Sequence, residues 1–311
     1  MKKLATALLF LLVFYGIVQT AAHAAAQTTE RPSVAITHKL GTITVPIKPK
    51  RVVVMDFGTL DTLDALGVDV QYAVPKANLP AYLAGFKDDG VVNIGGLKEF
   101  NLETINAFKP ELIIISGRQQ DYYKELSPIA PVLFVDNLAK NYLASVEGTL
   151  TAIASIFDEK TKVDAAYSEI KAAIARVKTK AATGGKNTLV LLTNDGKVSA
   201  YGSGSRFGII HDVLGLPQAD AKIKVGTHGQ LVNYEYIAMV NPDIIFVVDR
   251  SAAVGNKADG VRILDNALVG KTNAAKNGRI VALDPDVWYL SGGGLQSLAK
   301  MVGEIEAVLD K

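Results

Sequence analysis

Three arginines stand where a charged side chain could meet a ligand: Arg118, Arg206 and Arg250. Arg118 and Arg250 close two copies of one pattern. Residues 101–118 read NLETINAFKPELIIISGR and residues 233–250 read NYEYIAMVNPDIIFVVDR, at a constant offset of 233 − 101 = 132. Arg206 ends the turn GSGSR. A guanidinium carries a fixed positive charge and a planar fork of donors, so three aimed at one place form a receptor for an anion. A lone arginine on a loop is ordinarily a solvated charge; the repeat and the glycine turn single these out. His228, in VGTHGQ, and Tyr289, beside Trp288 in DPDVWYLSGGG, fall on comparable loops. Trp288 has packing beneath its loop as its plainer reading. His38 and His211 read as structural, one in a hairpin and one inside a helical pattern.

The repeat also says what positions these residues. In each copy an Asn caps a short helix, an acid (Glu103, Glu235) sits in its first turn, and a proline stops it. A short apolar run follows, 112–115 and 244–248, as expected of a parallel strand buried on both faces. Each arginine then lies just past the C-terminal end of its strand, where open α/β sheets bind ligands. Residues 158–182, rich in Ala, Glu and Lys with apolar positions at Val163, Tyr167, Ile170, Ile174 and Val177, predict a long helix between the copies. The expected fold class is α/β: two similar Rossmann-like lobes joined by one long connector helix, with a ligand cleft between them. A single rigid connector permits only small lobe movements. The expected division is 1–24 signal peptide, 25–157 first lobe, 158–183 connector and 184–311 second lobe. Asn194-Asp195-Gly196 signals a hairpin, 207–214 a helix, 284–294 a loop and 295–309 the final helix.

Composition narrows the class. The chain has 311 residues, 49% hydrophobic and 21% charged, enough to bury a sizeable core. It opens with Lys2 and Lys3, an apolar run over 4–18 and Ala22-His23-Ala24, the layout of a cleaved export signal. Cleavage after Ala24 removes two lysines and no acid, so the formal charge of the remainder is +2 − 2 = 0. No global basicity points to nucleic acid. There is no cysteine, hence no thiol for a lipid anchor, and a soluble, monomeric periplasmic protein is expected. No G-x-S-x-G, H-E-x-x-H or P-loop is present, and a binder is expected rather than an enzyme.

The segments SGRQQDYYKELSPIAPVLFVD, YGSGSRFGIIHDVLG, THGQLVNYEYI and VWYLSGGG resemble the class III substrate-binding proteins of ABC transporters, in the subgroup that takes catecholate siderophores. The resemblance implies capture of a ferric catecholate siderophore and delivery to an inner-membrane permease dimer. It implies no intrinsic cofactor; Fe(III) arrives within the ligand. Arg118, Arg206 and Arg250 would surround the complex with Trp288 beside them, and His228 and Tyr289 could bind the iron. Glu103 and Glu235 would meet the two permease subunits, their plainer reading being helix-dipole partners. The chemistry agrees. A ferric tris-catecholate is triply negative; a bis-catecholate is singly negative and leaves two iron positions open, which phenolate and imidazole suit. Haem or cobalamin binding is the alternative within the fold, but three arginines and 7% aromatic content suit those ligands poorly. An exported α/β hydrolase would need a nucleophile–base pair, and none is visible.

Overall fold

The computed structural model describes residues 31–136, 141–226, 228–256 and 260–310. The expected signal peptide and its cleavage after Ala24 lie outside the described residues. A hairpin comes first, β1 (Ser33–His38) against β2 (Gly41–Pro46), with Ile36 opposite Ile43. The first lobe follows with β3 (Arg51–Val54), helix α1 (Phe57–Leu66), β4 (Gln71–Val74), β5 (Val92–Asn93), α2 (Leu102–Phe108), β6 (Leu112–Ile115) and β7 (Val132–Phe134). Its sheet has the order β5-β4-β3-β6-β7 and is parallel throughout.

Helices α3 (Tyr142–Phe157) and α4 (Lys160–Gly184) carry the chain across. Asp158 takes a left-handed conformation, φ 58°, to cap α3, which is why the connector begins two residues later than its composition suggests. Val163, Tyr167, Ile170, Ile174 and Val177 are all buried, as their spacing predicts. The second lobe contains β8 (Thr188–Asn194), β9 (Lys197–Tyr201), β10 (Gln230–Val232), α5 (Tyr234–Val240), β11 (Ile244–Asp249) and β12 (Ile280–Leu283). Helix α6 (Leu295–Leu309) closes the chain, packed on both α4 and α1.

The second sheet, β10-β9-β8-β11-β12, is not a copy of the first. Asp195 (φ 47°) and Gly196 (φ 75°) both take the left-handed conformation a two-residue hairpin needs, so β9 folds back antiparallel to β8 and β10 joins antiparallel to β9. Two segments differ from expectation. The helix read over 207–214 is a five-residue π-helical turn, Ile209–Val213, because the residues before it are spent in turns that Asp212 ties back. Its carboxylate accepts the Gly204 N–H at 2.7 Å and meets the Ser203 hydroxyl. The loop read over 284–294 is wound into another π-helical turn, Asp286–Leu290, led into by a local turn in which Asp284 Oδ1 accepts the Asp286 N–H at 3.0 Å.

Strand periodicity divides the interior. Val52, Val54, Leu112 and Ile114 face a central core, while Val53, Met55, Ile113 and Ile115 face an outer one. In the second lobe Val190, Leu192, Ile244 and Phe246 face the same central core, and Leu189, Leu191 and Ile245 face a third. The two lobes therefore share one continuous apolar interior through α1, α3, α4 and α6. Where α6 meets the first lobe the backbones nearly touch. A Cβ on Gly294 would collide with the Gly58 carbonyl oxygen and the Asp61 carboxylate. Gly294→Ala should therefore cost about 1–3 kcal/mol in thermal or denaturant unfolding, the range for overpacking a well-filled site. Gly303→Ala, on the same helix with nothing within 4 Å of its added carbon, should instead be neutral or stabilising.

Candidate functional site

Each arginine is delivered by a different local device. After β6, the Ser116 N–H donates to Gln119 Oε1 (3.1 Å), and Gln119, fully buried, donates from Nε2 to the Leu97 carbonyl (2.5 Å). This locks the turn Gly117–Tyr122 that presents Arg118. Arg206 leaves the glycine turn braced by Asp212. Arg250 opens a one-turn helix, Arg250–Ala253, capped by Asp249.

All three converge on Tyr289. Their guanidinium carbons lie 5.9, 4.4 and 5.7 Å from its ring centroid for Arg118, Arg206 and Arg250. Arg118 donates to the carbonyls of Tyr289 (2.6 Å) and Leu290 (3.2 Å), bridging the two lobes. Arg206 donates to the Tyr289 carbonyl at 3.1 Å, and its buried Nε has no acceptor among the described residues. Arg250 donates from Nε to the Tyr289 phenol oxygen (2.8 Å) and from Nη1 to Asn194 Oδ1 (2.7 Å). Burial acts to raise the Tyr289 pKa. The Arg250 hydrogen bond and the charges of all three arginines outweigh it and hold the phenol below its ordinary range. Arg118 is held below the usual guanidinium value by burial first and then by the charge of Arg206.

Two adjoining compartments open around this cluster, of about 410 and 370 Å³. Arg206, His228, Tyr289 and Lys98 line both; Arg118 lines one and Arg250 the other. His228 is exposed at their junction. Trp288 is only 4% exposed, gives its indole N–H to Glu304 Oε2 at 2.6 Å, and lines the first compartment. Lys98 escaped the sequence reading: Gly95-Gly96 before it signals a turn but not what the turn meets, and the Gln119–Leu97 bond ties that turn to the end of β6. Asp56 and Asp121 also line the first compartment. His38 and His211 lie away from the cleft, each engaged with a backbone group nearby. Glu103 and Glu235 are exposed in the first turns of α2 and α5, below caps in which Asn101 and Asn233 accept Thr104 and Tyr236 N–H at 2.9 Å each. Neither acid makes an ion pair among the described residues, and neither lines the cleft.

A family model described as periplasmic binding protein matches residues 52–287. The petrobactin-binding protein YclQ of Bacillus subtilis is 45% identical over 287 residues, spanning 91% of this chain and 90% of its own length. Its crystal structure superposes with a TM-score of 0.88, covering 90% of this chain and all of that one. The ferric-anguibactin-binding protein FatB of Vibrio anguillarum is 31% identical, covering 90% of this chain and 88% of its own. The crystal structure of the periplasmic catecholate-siderophore binding protein VctP of Vibrio cholerae matches with a TM-score of 0.83 and 32% identity, covering 89% and 100%.

The electrostatics can be tested without any ligand. In a spectroscopic pH titration one phenol should ionise below the ordinary tyrosine range, and Arg250→Ala should move it upward. Because the native pKa is depressed, the folded chain binds fewer protons than the unfolded one just below the ordinary phenol value. Stability from this group should therefore rise with pH through that window, and Tyr289→Phe should remove the rise.

Proposed function

We propose a function for this chain on the premise that it belongs to the periplasmic binding protein family: it captures a ferric siderophore outside the cytoplasm and hands it to an ABC permease. The observation that carries this reading is the convergence of Arg118, Arg206 and Arg250 on Tyr289 between two lobes. Three guanidiniums with unspent donors form a preorganised field for an anion, and the catecholate class supplies anionic oxygens and flat rings to match. YclQ, FatB and VctP, whose names specify siderophores, support the same class, and they do not favour haem or cobalamin.

The iron enters as cargo already chelated. Among the described residues no three of His, Asp and Glu gather as a metal site, so the protein would complete a coordination shell rather than supply one. We assign that completion to Tyr289 and His228. A depressed phenol pKa favours the phenolate, a hard oxygen donor for Fe(III), and Arg250 can pass from the phenol oxygen to a catecholate oxygen when the complex arrives. His228, exposed between the compartments, is free to approach a second open position. Lys98 adds a fourth cation from the first lobe. The family and its relatives are binding proteins, not enzymes. The export segment over 1–24, the monomeric state and the lobe boundaries at 157 and 183 belong to the same proposal.

Quenching of Trp288, the only tryptophan, tests this with a panel of ferric bis-catecholate, tris-catecholate, hydroxamate, haem and cobalamin. Catecholates should bind most tightly. Each Arg→Ala should weaken binding roughly ten- to a hundredfold, as expected for a charge-assisted contact of about 1.5–3 kcal/mol. Tyr289→Phe should remove a phenolate-to-iron band from the bis-catecholate complex. An unchanged spectrum and affinity in both Tyr289→Phe and His228→Ala would show that neither residue touches the iron.

We further propose that Glu103 and Glu235, exposed and equivalent on the two lobes, orient the chain on two equivalent permease subunits. The double variant Glu103→Ala/Glu235→Ala should keep siderophore affinity and folding while cellular uptake of labelled ferric siderophore falls. Full uptake would return both acids to helix-dipole partners.

A further inference from the structure

The turn that carries Tyr289 belongs by sequence to the second lobe, whose Arg206, Arg250 and Glu304 bond it, but the first lobe holds it as well. Arg118 holds the Tyr289 and Leu290 carbonyls. Asp286 Oδ2 accepts the Ala81 N–H at 2.9 Å. The Tyr82 hydroxyl lies 2.6 Å from Ser291 Oγ and 3.2 Å from Asp61 Oδ2. Ser291 in turn bonds the Asp286 carbonyl through both its N–H (3.1 Å) and its hydroxyl (3.0 Å), closing the turn that presents Tyr289.

Asp61 stands at the centre of this joint. It is fully buried on α1. Its two oxygens accept the Gln296 N–H (3.0 Å) and the Ser297 N–H (3.1 Å), the free donors in the first turn of α6. The residue at the cap position of that helix is Gly294, which has no side chain to do so. Thr62 Oγ1, next to Asp61, accepts the Leu295 N–H at 3.1 Å. A helix of one lobe is thus capped by an acid of the other, and the close approach this needs is the one that excludes a Cβ at Gly58 and Gly294. Burial pushes the Asp61 pKa up to about 7, while Gln296, Ser297 and Tyr82 pull it down. A carboxylate in so dry a place is tolerated because it is hydrogen-bonded on every side.

We propose that Asp61 is a positioning residue for siderophore binding: from outside the cleft, it sets the height and orientation of Tyr289 by anchoring both the start of α6 and, through Tyr82 and Ser291, the turn Asp286–Leu290. The assignment rests on the reading of Tyr289 as a ligand of the ferric complex. An asparagine at position 61 would keep the size but offer one acceptor oxygen, leaving an amide N–H facing a helix N–H. The joint should loosen while the shared core holds the fold.

The test is a double-mutant cycle on the full chain with ferric bis-catecholate, using wild type, Asp61→Asn, Tyr289→Phe and the double variant. Asp61→Asn should weaken binding about tenfold and diminish the phenolate-to-iron band. In the Tyr289→Phe background the same substitution should cost less than about twofold. Equal losses in both backgrounds would mean that Asp61 acts on stability alone, and no loss in wild type would mean that it does not act; either overturns the proposal. If Asp61→Asn fails to fold, Tyr82→Phe replaces it in the same cycle, with a loss of about threefold expected and the same two overturning results. If the unaltered chain takes up no ferric catecholate, the reading of the cleft has failed, and the positioning role is decided on the ligand-free protein. There Asp61→Asn should shift Trp288 emission to the red. No change would overturn it.

Discussion

Three like charges gathered on one phenol ring are the constraint around which this structure is arranged. Arg118, Arg206 and Arg250 repel one another, and all three are partly buried, so water screens the repulsion incompletely. The cluster persists because each guanidinium is given acceptors at short range: two backbone carbonyls, the phenol oxygen and the Asn194 amide. None of the four acceptors carries a full charge. The guanidiniums are hydrogen-bonded by neutral groups, while the carboxylates of Asp56 and Asp121 line the first compartment and Asp56 acts on Arg118 through its charge. The depressed phenol pKa is the same cluster seen from the side of the tyrosine.

Such an arrangement requires a scaffold that does not yield. The two sheets do not pack as separate bodies; alternate residues of β3, β6, β8 and β11 enter one central core, joined by α4 and sealed by α6. Rotating one lobe against the other would open that core. The glycines of the final turn belong to this scaffold. Gly292 takes φ 73° and Gly294 lets α6 start against the backbone of α1, which brings Tyr289 under Arg118.

The division of labour between the lobes is uneven. The first contributes Arg118, Lys98 and the joint at Asp61. The second contributes Arg206 and Arg250 after β9 and β11, and His228 just before β10. Tyr289 is covalently part of the second lobe and is held by both. Alternate residues of β9, Lys197, Ser199 and Tyr201, line the second compartment together with Arg206 and His228, which flank the end of β9 and the start of β10.

Local chemistry was legible in the sequence wherever a signal lies within a few residues. The twin Asn caps, the proline stops, the alternating strands, the buried stripe of α4 and the hairpin at Asp195-Gly196 all follow from short-range preferences of backbone and side chain. The internal repeat placed two arginines at equivalent positions, and so made them candidates for an anion site before any fold was known. What the sequence could not state were the contacts between residues distant in the chain. Nothing near Lys98 says that a buried glutamine will bring it to the cleft. Nothing near Asp61 says that it caps a helix more than two hundred residues away. Strands as short as β5 and β10 carry too few residues to show a period, and the turn bearing Tyr289 is closed by Ser291, whose bonds to the Asp286 carbonyl the sequence does not signal. These features were decided by the tertiary structure, because a hydrogen bond or a close backbone approach depends on where two segments meet in space.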